Sequence, residues 1–236
     1  MSEILMIRHG QASFGEDNYD RLSPIGVQQS KIVARHLSVC GKTFDAVYCG
    51  TMQRQVKTAR ELYEYCMGMK KTLPELFKAD SFDEYDSLTV WEALIPQMIE
   101  DDPSITEDLK QVYTDKKSFQ KLFEAVMKRW ISGSFDRPEI PKWSDFKRRV
   151  GRGITEIMHQ HGAKKQLIVF TSGGPISVTI QLALGITDQK AMEISWQIMN
   201  ASITRFKYNA RGIALAGFND ITHLELERNK KLLTYR

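Results

Sequence analysis

The stretch that most constrains this chain is Ile4-Leu5-Met6-Ile7-Arg8-His9-Gly10-Gln11. An apolar run without alternation reads as a strand buried on both faces. It stops at an arginine and a histidine, so the strand delivers both to the carboxyl edge of a sheet. Gly10 lets the chain leave in a conformation that other residues resist, with backbone close to whatever the histidine faces. Arg8 offers a fixed fork of donors that suits phosphate. His9 offers a ring nitrogen able to act as nucleophile, base or ligand near neutral pH. The expectation is a phosphate-handling site with His9 as phosphoryl acceptor. The alternative is a strand end whose two polar residues meet solvent.

Two later segments repeat the theme of a strand leading to an anion-friendly helix start. Phe44 to Cys49 reads as a short strand, and Gly50-Thr51 opens a helix with Met52, Val56, Ala59, Tyr63 and Cys66 on its buried stripe. Arg54 lies in its first turn, off that stripe. The helix dipole disfavours a cation there, whereas an anion held jointly by first-turn N–H groups and the guanidinium would explain it. Leu167-Ile168-Val169-Phe170 is a second wholly apolar strand, running into Thr171-Ser172-Gly173-Gly174-Pro175 and a helix from Ile176 to about Leu184, closed by Gly185. No Walker lysine follows those glycines and no Gly-x-Ser-x-Gly occurs, which weakens P-loop and serine-hydrolase readings.

Between these landmarks, Ala12 to Arg21 reads as a loop over the site. Ser23-Pro24 reads as an N-cap and first helical residue. Asp80, Asp83, Glu84 and Asp86 form an acidic cluster interrupted by Phe82 and Tyr85; most such clusters are solvated, but a carboxyl group among others can serve as a proton donor. Strand signals vanish from 88 to 140, where Trp91 to Met98 and Phe119 to Trp130 look helical, giving a cap-like insertion. A helix from Ser144 carries Phe146, Val150, Ile154 and Ile157 on one face and ends near His161. Its His159-x-His161 pair, with no third ligand in sight, favours the helix C-terminus over a metal. Strands near Ala201–Tyr208 and Ile213–Phe218 complete the sheet.

A net charge of +4 over 236 residues, with both signs interspersed, suits an anionic small substrate and carries no nucleic-acid signature. Cys40, Cys49 and Cys66 lack metal-type spacing and are odd in number, against a disulfide framework. The first residues do not read as a signal peptide, and no apolar run reaches the roughly 18 residues of a membrane span. The expected location is cytoplasmic, without a membrane partner; oligomeric state is open.

Arg8-His9-Gly10, Leu22-Ser23-Pro24-Ile25-Gly26, and the run from Tyr48 to Ala59 with Arg54 and Thr58 together resemble the histidine phosphatase superfamily, also called phosphoglycerate-mutase-like. Asn200-Ala201-Ser202-Ile203-Thr204 and Asn219-Asp220-x-x-His223-Leu224 look like the family's closing segments. The resemblance implies a single domain over 1–236: a three-layer α/β/α sandwich with a central, mostly parallel sheet and a helical insertion over 88–140. It implies a phosphatase acting on a small phosphorylated substrate, with His9 attacking phosphorus, Arg8 and Arg54 neutralising the phosphoryl oxygens, and Glu84 as acid and base, Asp83 and Asp86 being alternatives. It implies no metal and no cofactor. Where relatives carry a second histidine this chain has Ser172, a neutral donor in place of a charged one. Losing one preorganised donor slows comparable sites by about 100- to 1,000-fold. Backbone N–H groups of Gly173 and Gly174 could compensate, or His223 could supply the ring. The competing reading is a weak or inactive pseudophosphatase that binds phosphate or a phosphoprotein.

Overall fold

The first apolar run forms β1 (Ser2–Arg8) in a computed structural model that describes residues 2–13, 19–111 and 115–235. Ile4, Met6 and Ile7 are fully buried. β1 needs partners on both edges and cover on both faces, and it has them. The other strands are β2 (Ala46–Cys49), β3 (Leu76–Lys78), β4 (Gln166–Thr171), β5 (Ile203–Asn209) and β6 (Gly212–Asp220). They form one sheet in the order β3-β2-β4-β1-β5-β6. β1, β2, β3 and β4 pair in parallel, while β5 is antiparallel to both β1 and β6. The sheet is therefore mostly parallel, flanked by helices, as the sequence led us to expect.

The chain forms two compact units. The first comprises residues to Glu84 and from Val150 onward, and holds the whole sheet. Leu5, Ile7, Val47, Cys49, Ile168 and Phe170 pack with α1 (Pro24–Val39) and α2 (Gln53–Gly68) in one core. The residues that alternate with them, including Ile4, Met6, Leu167 and Val169, are equally buried, as period-two side-chain geometry requires of a sheet covered on both faces. Ser23 caps α1 by accepting from Gly26 N at 3.1 Å, with Pro24 next. The buried face of α2 runs through Val56, Ala59, Leu62 and Cys66. Tyr63, expected on it, is half-buried, its hydroxyl donating to the Pro74 carbonyl at 2.6 Å.

The second unit, Tyr85–Arg149, contains α3 (Ser87–Asp101), α4 (Ile105–Gln111), α5 (Lys116–Ile131) and the start of α6 (Trp143–His161). Trp130 lies against both Tyr85 and Trp143, with centroids 4.9 and 5.4 Å away, and its indole N–H donates to the Pro141 carbonyl at 2.6 Å. The rings of Trp91, Phe119 and Phe123 stack separately.

Two local expectations fail, and two short elements went unread. The glycines after β4 are not a loop: α7 (Gly173–Leu184) starts at once, with Ser172 as N-cap. Pro175 fits within this first turn, where its missing N–H costs nothing. Gly10 is not in the left-handed region; it is needed because a side-chain carbon there would overlap the Gly26 carbonyl oxygen. β3 and α8 (Asp188–Ser195) had no readable periodicity, being three and eight residues long. Of the loop expected over Ala12–Arg21, residues 14–18 lie outside the described residues; Ala12 and Leu22 bridge its base.

Candidate active site

Strand register brings the landmarks to one edge. Arg8 lies opposite Thr171, and Cys49 opposite Phe170, so β1, β2 and β4 end at the same level. His9 and Ser172 are the next residues along neighbouring strands, joined by a hydrogen bond from His9 N to the Thr171 carbonyl at 2.8 Å. The crevice outside the carboxyl ends of parallel strands is where open α/β sheets bind ligands.

His9 is nearly inaccessible, at 4% exposure. Its Nδ1 meets the Gly10 carbonyl at 2.7 Å, a contact only Nδ1–H can make favourably. Nε2 therefore keeps its lone pair and accepts from Arg54 Nε at 3.1 Å. Burial, then Arg54, then Arg8 hold the imidazole well below its usual titration range. The ring is neutral at physiological pH.

The His9 backbone is pinned from beneath. Its carbonyl accepts from Asn200 Nδ2 and from Ala201 N, both at 3.2 Å. Ala201 sits at φ 56°, a conformation uncommon for non-glycine residues. His223 helps fix it: its Nε2–H donates to the Ala201 carbonyl at 3.0 Å, while its ring stacks on His36 with centroids 5.2 Å apart. His223 is thus committed to this support, and is not a stand-in for an imidazole at position 172.

Arg54, read as off the buried stripe of α2, is 5% exposed. α2 lacks a side-chain cap of its own. Asp20 supplies one, accepting from Gln53 N at 2.7 Å and from Arg54 Nη1 at 2.8 Å. Thr58 Oγ1 accepts from Gly10 N at 3.1 Å and donates to the Arg54 carbonyl at 2.8 Å, tying α2 to the histidine turn. Arg8 is held by the Ile198 carbonyl. A side-chain carbon on Gly173 would lie 3.9 Å from Arg8 Nε, which places the start of α7 beside that guanidinium.

Glu84 Oε2 accepts from Gly174 N at 3.0 Å, so this carboxylate also reaches the N-terminus of α7. Its two alternatives have other employment. Asp83 accepts from Thr51 N and Thr51 Oγ1, each at 2.5 Å. Asp86 caps α3 through Thr89 N at 3.1 Å. Ser172 is fully buried and, although at the N-cap position, makes no capping bond; its Oγ accepts from Gln55 Nε2 at 2.8 Å. Cys49, on the same edge, is no competing nucleophile, since burial pushes its thiol up to about 11. His161 pairs with Tyr48, Nε2 to hydroxyl 2.7 Å.

A family model described as histidine phosphatase superfamily (branch 1) matches residues 4–103 and 97–221. The chain belongs to the histidine phosphatase superfamily. Solved structures with the same fold include three at low identity. One is a histidine-to-alanine mutant of phosphoserine phosphatase from Entamoeba histolytica in complex with phosphoserine, at 18% identity and TM-score 0.65, covering 95% of this chain and 100% of the other. Another is phosphoglycerate mutase from Bacillus anthracis, at 16% identity and TM-score 0.64, covering 97% of each chain. The third is the α-ribazole phosphatase from Shigella flexneri, at 18% identity and TM-score 0.58, covering 92% of this chain and 96% of the other. A search of curated proteins finds no match. As a histidine phosphatase superfamily member, the chain places Arg8, His9, Arg54, Ser172, Gly173 and Glu84 around one sheet edge. Two further residues, Asp20 and Gln55, escaped sequence reading. Asp20 sits in a polar loop without periodicity, and Gln55 is a buried polar residue at a position that helical patterning assigns no role.

Proposed function

We propose that this protein is a phosphomonoesterase working through a phosphohistidine on His9. The observation that carries the reading is the state of that ring: neutral, buried, with Nδ1–H fixed on the Gly10 carbonyl and the Nε2 lone pair beside Arg54. A phosphoryl oxygen entering the site takes over the Arg54 Nε–H and exposes that lone pair. Nε2 attacks phosphorus in line, and the ester P–O bond breaks. Glu84, as the acid, gives its proton to the leaving alkoxide. In the second step the Glu84 carboxylate takes a proton from water, the new oxygen bonds to phosphorus, and the P–N bond breaks to release orthophosphate and neutral His9. Arg8, Arg54 and the amino-terminal end of α7 supply the positive field for charge developing on the phosphoryl oxygens.

Ser172 keeps a second reading in view: a pocket that binds phosphate or a phosphoprotein and turns it over slowly or not at all. Phosphate release from p-nitrophenyl phosphate and a panel of phosphorylated metabolites, including phosphoserine and a phosphoglycerate, separates the two beside a His9→Ala variant. We expect wild-type release far above the variant. Equal rates across the panel would leave only the binding-module reading.

A further inference from the structure

Gln55 is the polar residue at this edge with no assigned task. It lies beside Arg54 in the first turn of α2 and is fully buried. Its Nε2 donates twice, to Ser172 Oγ at 2.8 Å and to the Phe82 carbonyl at 3.0 Å. The second contact fixes the amide's orientation, because an oxygen there would face the carbonyl of Phe82. Its Oε1 is buried without a partner among the described residues. Burying an amide with an orphaned oxygen is costly unless its other end does something the fold or the chemistry needs. A bulkier neighbour is excluded as well, since a side-chain carbon at Gly50 would overlap Oε1.

Ser172 carries the complementary anomaly. A serine at an N-cap ordinarily accepts from its own helix; here Oγ is turned to Gln55, and in the first turn of α7 the Gly174 N–H goes instead to Glu84 and the Ile176 N–H to the Ser172 carbonyl. A hydroxyl has one donor and two acceptor sites. Gln55 uses an acceptor site and, as a donor itself, cannot receive the serine proton. Among the described residues Ser172 Oγ has no bond other than that to Gln55.

We propose that Gln55 is a positioning residue for phosphoryl binding and transfer: by donating to Ser172 Oγ it directs the serine O–H toward the phosphoryl oxygen beside His9. This rests on the reading of the site as one that receives a phosphoryl group. Serine and glutamine then act as a unit at the place where relatives carry a histidine.

The test is a double-mutant cycle on the full chain with Gln55→Leu, which is apolar and loses both bonds, and Ser172→Ala. Two readouts are taken: orthovanadate or orthophosphate binding by calorimetry, and kcat and KM for p-nitrophenyl phosphate. Thermal unfolding confirms that each variant is folded; where Gln55→Leu fails to fold, Gln55→Met replaces it. Each single variant is expected to weaken anion binding by about tenfold, the value of one good hydrogen bond. Each should lower kcat more than it alters KM, and the double variant should be no worse than Ser172→Ala alone. Effects that multiply would show that Gln55 acts through the Phe82 carbonyl and the Glu84 loop, which overturns the proposal. Wild-type affinity retained in Gln55→Leu, or Ser172→Ala matching the wild type, would overturn it alone. A wild type that neither binds the anions nor outpaces His9→Ala would sink the phosphatase reading and this proposal together. A wild type that binds without turnover leaves the binding cycle to decide.

Discussion

His223 makes the stability of this fold depend on mild acid, and the size of the effect can be worked from its surroundings. The ring is 3% exposed, stacks on His36, and donates Nε2–H to the Ala201 carbonyl. Burial, then the proximity of His36, outweigh the raising effects of the Ala201 carbonyl and Asp220 and bring it from 6.5 to about 4. A depressed base is charged more readily in the unfolded chain, so between these two values the unfolded state binds more protons. Stability therefore rises with pH across that window; it is intact above pH 6.5 and lost as pH falls toward 4. Full passage is worth about 3 kcal/mol, a large share of a typical domain's stability. His223→Gln keeps a donor for the Ala201 carbonyl and removes the titration. Urea unfolding at about pH 7 and about pH 4.5 should show the wild type losing roughly 2.5 kcal/mol more than the variant over that interval. His9, also depressed by burial and by Arg54 and Arg8, is present in both proteins and cancels. Equal losses in the two would refute the assignment of a buried, neutral His223.

Other consequences follow from the same geometry. Gly10→Ala sets a carbon against the Gly26 carbonyl oxygen and 2.7 Å from Ser30 Oγ; overpacking against backbone should cost about 1–3 kcal/mol or more, read as a lower midpoint in denaturant unfolding. Because His9 is held well below 6.5, the proposed nucleophile stays neutral as pH falls through that value, and kcat/KM measured against pH should show no loss near 6.5 attributable to it. A fall centred there that persists in Glu84→Gln and does not track the substrate's own phosphate ionisation would contradict its neutral state. Glu84→Gln should slow alkyl phosphates by about 100-fold or more, while p-nitrophenyl phosphate, whose leaving group needs little protonation, is slowed much less. Equal losses on both substrates would remove Glu84 from the role of acid.

Most of the sheet was legible because its central strands are apolar on both faces. Ile4–Ile7 and Leu167–Phe170 could hardly be placed elsewhere, and the landmarks at their ends followed. What escaped was whatever depends on residues far apart in sequence. Nothing local tells that Asp20 supplies the cap α2 lacks, or that Arg54 is buried, because a periodic reading scores a buried arginine as exposed; the bonds to His9 and Asp20 overrule it. Gly173 and Gly174 were read as a loop because paired glycines usually break helices. At Gly173 the glycine answers instead to close approach: a carbon there would come within 3.2 Å of the Ser195 carbonyl. β3 is three residues long, too short to show any alternation.

Ser172 changes the electrostatic character of the site more than its size suggests. A second imidazole would have placed another titrating cation among Arg8, Arg54 and His9, making anion affinity follow its protonation. With serine there, the nitrogen groups around the expected phosphoryl position are two guanidiniums that stay charged, the N–H groups at the start of α7 and a histidine held neutral, beside a neutral hydroxyl. Glu84, the acid and base of the proposed mechanism, is the ionisable group that stands with them at this edge of the sheet. Anion affinity should then follow the ionisation of the phosphate and of Glu84, with no contribution from a second imidazole. The pocket exchanges the strength of a charged donor for one that does not titrate, and the buried Gln55 amide is the group that makes a neutral hydroxyl serve in that position.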